Sequence, residues 1–370
     1  MESKQHTIPA FPTDYKSILE RLENIDPKKY AQTRNFVDGH VTYLSPYISR
    51  GVISLQQVLQ QVLKKYKPYE IEKFIQELAW REYWQRVWQS IGDTIFTDIK
   101  QQQPNVIHRK MVTAIENAHT GIEAIDQHIE LLYASGYMHN HMRMYVSSIA
   151  CNIAKAHWLQ PSQWMYYHLL DGDLASNSLS WQWGAGSFSS KKYYCNQENI
   201  NRYTNSNQQH GFLNDSYEAI VSMDIPVVLE EKSDISLITT LPEMTAPLLK
   251  EDLPVMIYNS YNLDPTWHTN EQANRVLLLE PTHFTKYPVS DKVIQFILEL
   301  SKNIDGIQIF TGSFDELKTC CGKRQPIFKA HPTTSHYEGI SEKYDDLFPE
   351  VTGYFPSFFV YWKKCTRYLN

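Results

Sequence analysis

The chain has 370 residues, enough for two domains, and 42% hydrophobic with 21% charged residues suits a globular protein with a large core. Its formal net charge of −6 means that any contact with nucleic acid must come from a local basic patch. The first twenty residues hold no apolar run of signal-peptide length and no stretch reaches a membrane span. The five cysteines form no CxxC pair, which argues against a four-thiolate iron–sulfur cluster and fits reduced thiols in the cytoplasm.

Residues 15–210 carry helical periodicity. "YKSILERLENI", "LQQVLQQVLKKY", "IEKFIQELAWREYWQRVWQSI", "GIEAIDQHIELLYASG" and "NHMRMYVSSIACNIAKAHWL" each place apolar residues three and four apart, and Ser54 stands where an N-cap belongs. After about residue 210 the pattern changes. "PVMIYNSYNL", "RVLLLEP" and "IQIFTGS" are short β-rich runs, and "SDKVIQFILELSKNI" between the last two is a capped amphipathic helix. Strand–helix–strand of this length predicts a parallel sheet. The expected division is a helical domain over 1–210 and an α/β domain over 211–370, joined by the polar, turn-rich "NSNQQHGFLND".

Within the helical part, three clusters mix a charge, an amide or acid, and an aromatic. Glu77 and Arg81 stand four apart beside Trp80. Asn140, Arg143 and Met144 fall at i, i+3 and i+4, on one helix face. Asp171, Asp173 and Asn177 precede Trp181 and Trp183. Each has a plainer account. Glu77–Arg81 is the spacing of a surface ion pair, and Trp80, Trp84 and Trp88 make a core stripe. Asp171-Gly-Asp173 suits a turn, an N-cap, or the metal–nucleotide pair of a glycosyltransferase. His139 and His141 have the spacing of metal ligands, but are more often ordinary histidines.

Taken together, the clusters resemble the photolyase/cryptochrome family in its helical flavin-binding domain. "TYLSPYISRGVIS", "FIQELAWREYW", "GIEAIDQHIELLYASGYMHNHMRM" and "DGDLASNSLSWQW" match four family motifs in family order, from about Tyr30 to Gly186. The implied fold is a mostly α-helical FAD-binding domain followed by a smaller, Rossmann-like α/β domain. The implied cofactor is FAD, with no metal. Asp171 and Asp173 would line the flavin pocket, Asp171 bonding to Arg143. Asn177 would meet the flavin N5, and Thr42, Leu44, Ser45 and Tyr30 would meet the phosphates.

The resemblance also implies a substrate, DNA containing pyrimidine dimers. Trp80 and Trp183 would wall the lesion pocket, where aromatic faces suit a flipped base. Glu77, Asn140 and Met144 would be further contacts, Arg81 a rim residue, and Lys191 and Lys192 would replace an arginine that the family has near Asn196. Trp181 and Trp158 would be the first two steps of a tryptophan electron chain. Its distal member is missing: "QPNVIHRK" stands there, which leaves Trp84, Trp88 or Trp164 as other routes.

The order of domains departs from the family, whose α/β antenna-binding domain comes first. "VMIYNSYNLDPTW", "RVLLLEP" and "IQIFTGSFDEL" are similar to its strands, and "FPSFFVYWKKC" to the segment leading out of it. The expectation is a relocated antenna-like domain whose chromophore residues do not carry over. The expected activity is light-driven repair of cyclobutane pyrimidine dimers by a monomeric enzyme not bound to membranes. The competing reading is a blue-light receptor without repair. A (6–4) repair enzyme would want histidine where Asn140 stands.

Overall fold

The computed structural model describes residues 9–369. By its internal contacts the chain divides into two units. One comprises the stretch ending at Phe11, Gln32–Val41 and Asp93–Ser236; the other comprises Pro12–Ala31, Thr42–Gly92 and the residues from Leu237 onward.

In the first unit, helices Glu123–Ser135, Asn140–Ser147, Leu159–His168, Leu174–Ala185 and Gln197–Thr204 surround one core that includes Ile129, Tyr145, Trp158, Trp164 and Trp181. Local chemistry sets their ends. Asp126 accepts hydrogen bonds from the Thr120 and Gly121 backbone N–H groups and fixes the entry to the Glu123–Ser135 helix. Gly136 closes that helix at φ 73°, a left-handed turn that glycine adopts without a Cβ clash. The short strand β1 (Met111–Val112) pairs antiparallel with β2 (Lys232–Ser233).

The continuous helix expected through "NHMRMYVSSIACNIAKAHWL" is interrupted. Regular helix ends at Ser147, a π-helical stretch covers Ser148–Ile153, and Lys155 turns to a positive φ of 57°. Asn152 gives a physical reason. Its buried amide donates to the carbonyls of Gly184 and Tyr193, partners that an undisturbed helix would not place within reach.

In the second unit, helices Tyr15–Glu23, Leu55–Leu63 and Glu72–Ile91 accompany a five-stranded parallel sheet. Asp14 and Ser54 cap the first two, Ser54 in a reciprocal box with Gln57, as its position in the sequence predicted. The strands are β3 (Val255–Tyr258), β4 (Asn274–Leu279), β5 (Ile307–Thr311), β6 (Ile327–Lys329) and β7 (Ile340–Glu342), in the order β5-β4-β3-β6-β7. Every residue of β3 and β4 is buried, which is why β3 and the Val276–Leu279 part of β4 read as apolar runs. Helix Asp291–Ser301 crosses from β4 to β5, and Phe314–Cys321 from β5 to β6. The three-residue strands β6 and β7 were too short to carry a period.

This division does not coincide with a cut near residue 210. Residues 42–92 gather with the α/β part, and residues 211–236 with the helical one. The reason is tertiary. The buried Glu82 carboxylate accepts the backbone N–H groups of Leu347 and Phe348, 265 and 266 positions away. Arg86 supports the same turn by donating to the Phe348 carbonyl at 3.0 Å. Among the described residues, no helix is long and apolar enough to cross a membrane.

Candidate functional site

The first unit carries an acid–arginine–amide set. Arg143 projects from the Asn140–Ser147 helix, and its Nη2 donates to both oxygens of the buried Asp171 at 2.9 Å. Its Nε donates to the Met138 carbonyl at 2.8 Å, and its guanidinium lies 5.7 Å from the centre of the Tyr137 ring. The arginine plane is therefore fixed from three sides. On the same helix Asn140 is exposed and Met144 half-buried, while Met142, Tyr145 and Val146 face the core. The expected face of Asn140, Arg143 and Met144 is thus the helix's open side.

His139 caps this helix, its Nδ1 accepting the His141 N–H. Burial pulls its imidazole down to about 3, with His128, His141 and Arg143 adding to the effect, so it is neutral at ordinary pH. His141 instead bonds the Asn35 carbonyl through its Nδ1. The pair have separate structural tasks, and no group of three or more His, Cys, Asp or Glu suited to a metal occurs among the described residues.

Asp173 is the N-cap of the Leu174–Ala185 helix, its Oδ1 accepting the Ser176 N–H at 2.7 Å. One turn on, Asn177 donates its Nδ2 to the Ser162 carbonyl at 2.9 Å. That bond orients the amide, so that Oδ1 is the atom turned to the other side. Trp181 is buried at 3% exposure, whereas Trp183 is 38% exposed, with Tyr193 at 6.0 Å. Two tryptophans two residues apart on a helix point in different directions, one to the core and one to solvent.

Trp158 is fully buried, and its indole N–H donates to Asp98 at 2.7 Å. It shares one core cluster with Trp181 and with Trp164, whose own indole N–H donates to the Tyr133 hydroxyl. Lys191 is exposed. Lys192 is different: its ammonium is buried, has no hydrogen-bond partner among the described residues, and is held below the usual lysine range by that burial. A surface phosphate contact therefore suits Lys191 and not Lys192.

The second unit carries the other expected residues. Around Tyr43, held at a positive φ of 52°, the chain turns so that the Leu44 N–H reaches the Thr42 hydroxyl at 3.4 Å, and Ser45 opens a short helix. Tyr30 stands edge-on to Phe74, ring centres 5.2 Å apart. Along the Glu72–Ile91 helix, Glu77 pairs with Lys73 at 2.9 Å, one turn back. Arg81 donates to the Ser49 hydroxyl at 2.6 Å.

Trp80 is half-buried, and one face of its indole is stacked on Phe358, with ring centres 3.7 Å apart and planes 9° apart. Trp84 and Tyr83 close its edges at 5.1 and 5.9 Å. Sequence reasoning missed Phe358, Asp98 and the Glu82–Arg86 pair. The first two have no motif to announce them. Glu82 and Arg86 do stand at ion-pair spacing, but only the fold buries them.

At the carboxyl ends of β3 and β4 lies a crevice lined by Asn259, Ser260, Glu280, His283 and Tyr337. Glu280 accepts from His336, the Tyr337 hydroxyl and the Phe314 N–H, so its carboxylate is already well bonded.

A family model for the FAD binding domain of DNA photolyase matches residues 74–216. Among curated proteins, a deoxyribodipyrimidine photo-lyase of Synechococcus sp. is 31% identical over 169 residues, 43% of this chain and 35% of that protein. A cryptochrome DASH of Danio rerio is 31% identical over 170 residues, 42% of this chain and 32% of that protein. The chain thus spans about a third of the length of these relatives. Among solved structures, a cryptochrome of Synechocystis sp. aligns with a TM-score of 0.47 at 23% identity, over 53% of this chain and 44% of that one.

Proposed function

We propose, on the match of residues 74–216 to the FAD binding domain of DNA photolyase, that the chain is a photolyase/cryptochrome-family enzyme that uses light to repair cyclobutane pyrimidine dimers in DNA. The observation that carries the reading is the Leu174–Ala185 helix with the residues that meet it. It brings together a capping acid, an oriented amide, a core tryptophan and an exposed tryptophan.

The side chains fit a flavin. Asn177 has its donor bonded to Ser162, so its oxygen is the atom left to accept a hydrogen bond from an N5–H. The Arg143–Asp171 pair offers a fixed guanidinium beside a buried carboxylate, polar groups suited to a heterocycle with both donors and acceptors. Thr42, Ser45 and the backbone around Leu44 suit phosphate oxygens, with Tyr30 as a further contact. When bound and reduced, FAD supplies a light-driven electron that the dimer takes up while two bonds of its cyclobutane ring break, and that returns afterwards.

The protein's own part is to hold and to exclude. Trp183 offers an exposed aromatic face for a flipped base, with Asn140 and Met144 on the open side of their helix as edge and apolar contacts. Trp80 offers a second aromatic face, Glu77 a carboxyl for the dimer's polar edge, and Arg81 and Lys191 cations toward phosphate. The shared core cluster of Trp181, Trp158 and Trp164 supports a role for them in carrying electrons when oxidised FAD is reduced by light. The α/β unit corresponds to an antenna-like domain.

A blue-light receptor without repair is the second reading. It is favoured by the stack that covers one face of Trp80 and by the engagement of Glu77 with Lys73. Repair under blue light decides between them. Fully reduced protein mixed with an oligonucleotide carrying one thymine dimer should return two thymines in the light and none in the dark. No conversion in the light, with FAD bound and reduced, would leave the receptor reading.

A further inference from the structure

The C-terminal helix Phe358–Cys365 is two-faced. Phe358, Tyr361, Trp362 and Cys365 are buried, at i, i+3, i+4 and i+7. The other side presents Phe359 at 68% exposure and Val360 at 45%, followed one turn later by the exposed Lys363 and Lys364 and then by Arg367. Phe359 stands edge-on to Trp80 at 6.4 Å.

Residues 351–369 contain these three cations and no Asp or Glu, in a chain whose net charge is −6. Among the described residues none of the three is in an ion pair. Lys364 lies 5.1 Å from the centre of the Phe355 ring, a contact that leaves its charge unbalanced. A large exposed aromatic beside unbalanced cations is a poor surface for water alone. It is the composition that binds single-stranded nucleic acid, in which phosphates meet cations and bases stack on rings.

We infer that the outer face of this helix is a nucleic-acid contact: Phe359 stacks a base, and Lys363, Lys364 and Arg367 track the adjoining phosphates. The inference rests on the repair reading for its location, because that reading sets Trp80 against the damaged base, next to Phe359. The partner is a short unpaired stretch of DNA flanking the lesion. An amphipathic helix of this kind can also lie on an anionic membrane, but only two apolar side chains on this face are exposed to insert.

The test measures binding of two labelled single-stranded oligonucleotides, identical except for one thymine dimer, across a salt series. Full-length wild type is compared with Phe359→Ala and with Lys363→Ala/Lys364→Ala. All three substituted side chains are exposed, so folding and FAD content should be unchanged. The double variant should weaken binding of both oligonucleotides alike and reduce the slope of log affinity against log salt by about 1.4, the value for two phosphate contacts on a single strand. Phe359→Ala should weaken binding about tenfold with little change of slope.

Normal affinity and slope in both variants, with dimer-selective binding intact, would overturn the helix contact and leave the repair reading standing. Loss of binding in the variants of a protein that never prefers the dimer would keep the contact and remove the repair reading. Phosphatidylserine vesicles bound by wild type and released by the double variant, with DNA binding unaffected, would reassign the face to membranes. No DNA binding by wild type would overturn both.

Discussion

The Arg143–Asp171 pair and the Trp80–Phe358 stack fix their side chains in opposite ways. The first joins residues 28 apart in the chain, and its neighbours are equally local: Met138 and Tyr137 hold the guanidinium, and Asp173 caps the next helix. The second reaches from the Glu72–Ile91 helix to the Phe358–Cys365 helix, steadied by Glu82 taking the Leu347 N–H. A local arrangement can be carried by a short motif. A distant one needs the whole second unit to be folded before the tryptophan has a defined face.

Three changes separate the two arrangements. Phe358→Ala removes a buried ring and the stack on Trp80, and should destabilise the second unit by about 4 kcal/mol. Denaturant unfolding and a shift of tryptophan emission would report it, while FAD content in dilute buffer should be nearly kept. An equal loss of FAD would mean that the two arrangements are not independent. Asp171→Ala should act the other way. It leaves Arg143 without its carboxylate in a site that is 21% exposed on the arginine side, a loss of about 3 kcal/mol, and flavin absorbance should fall with it. Full retention of FAD by this variant would take Asp171 out of the flavin site.

The third change uses pH. His139 is held near 3 in the folded chain against an ordinary 6.5, so between those values the unfolded chain binds more protons. Its contribution to stability is complete above about 6.5 and is lost as pH falls toward 3. His139→Asn keeps a capping side chain and removes the titration. The drop in unfolding free energy from pH 7 to pH 5 should shrink by about 1–2 kcal/mol. Parallel pH profiles for the two proteins would place the acid sensitivity elsewhere.

What the sequence made legible follows the same division. Ser54 as a cap, Asp173 before its helix, the buried runs of β3 and β4 and the crossover helix between β4 and β5 are all set by near neighbours, and near neighbours leave periods and motifs. The acid–arginine–amide set was readable for the same reason. The π-helical stretch at Ser148–Ile153 was not, because Asn152 bonds to Gly184 and Tyr193, outside its own segment. Nor was the bond from Arg81 to the Ser49 hydroxyl, which lies 32 positions away, and the spacing of Glu77 gave no preference between Lys73 and Arg81. The cut between units was misplaced by the contacts that bind Glu82 and Trp80 to the end of the chain.

Trp183 as a base-stacking surface, beside a Trp181 that belongs to the core, is the centre of the repair reading. Equilibrium binding of dimer-containing and undamaged DNA to wild type and to Trp183→Ala tests that most directly. The variant should keep its FAD, lose about 1–3 kcal/mol of affinity for the dimer, and bind undamaged DNA as before. Equal loss on both DNAs, or no loss on either, would contradict that reading.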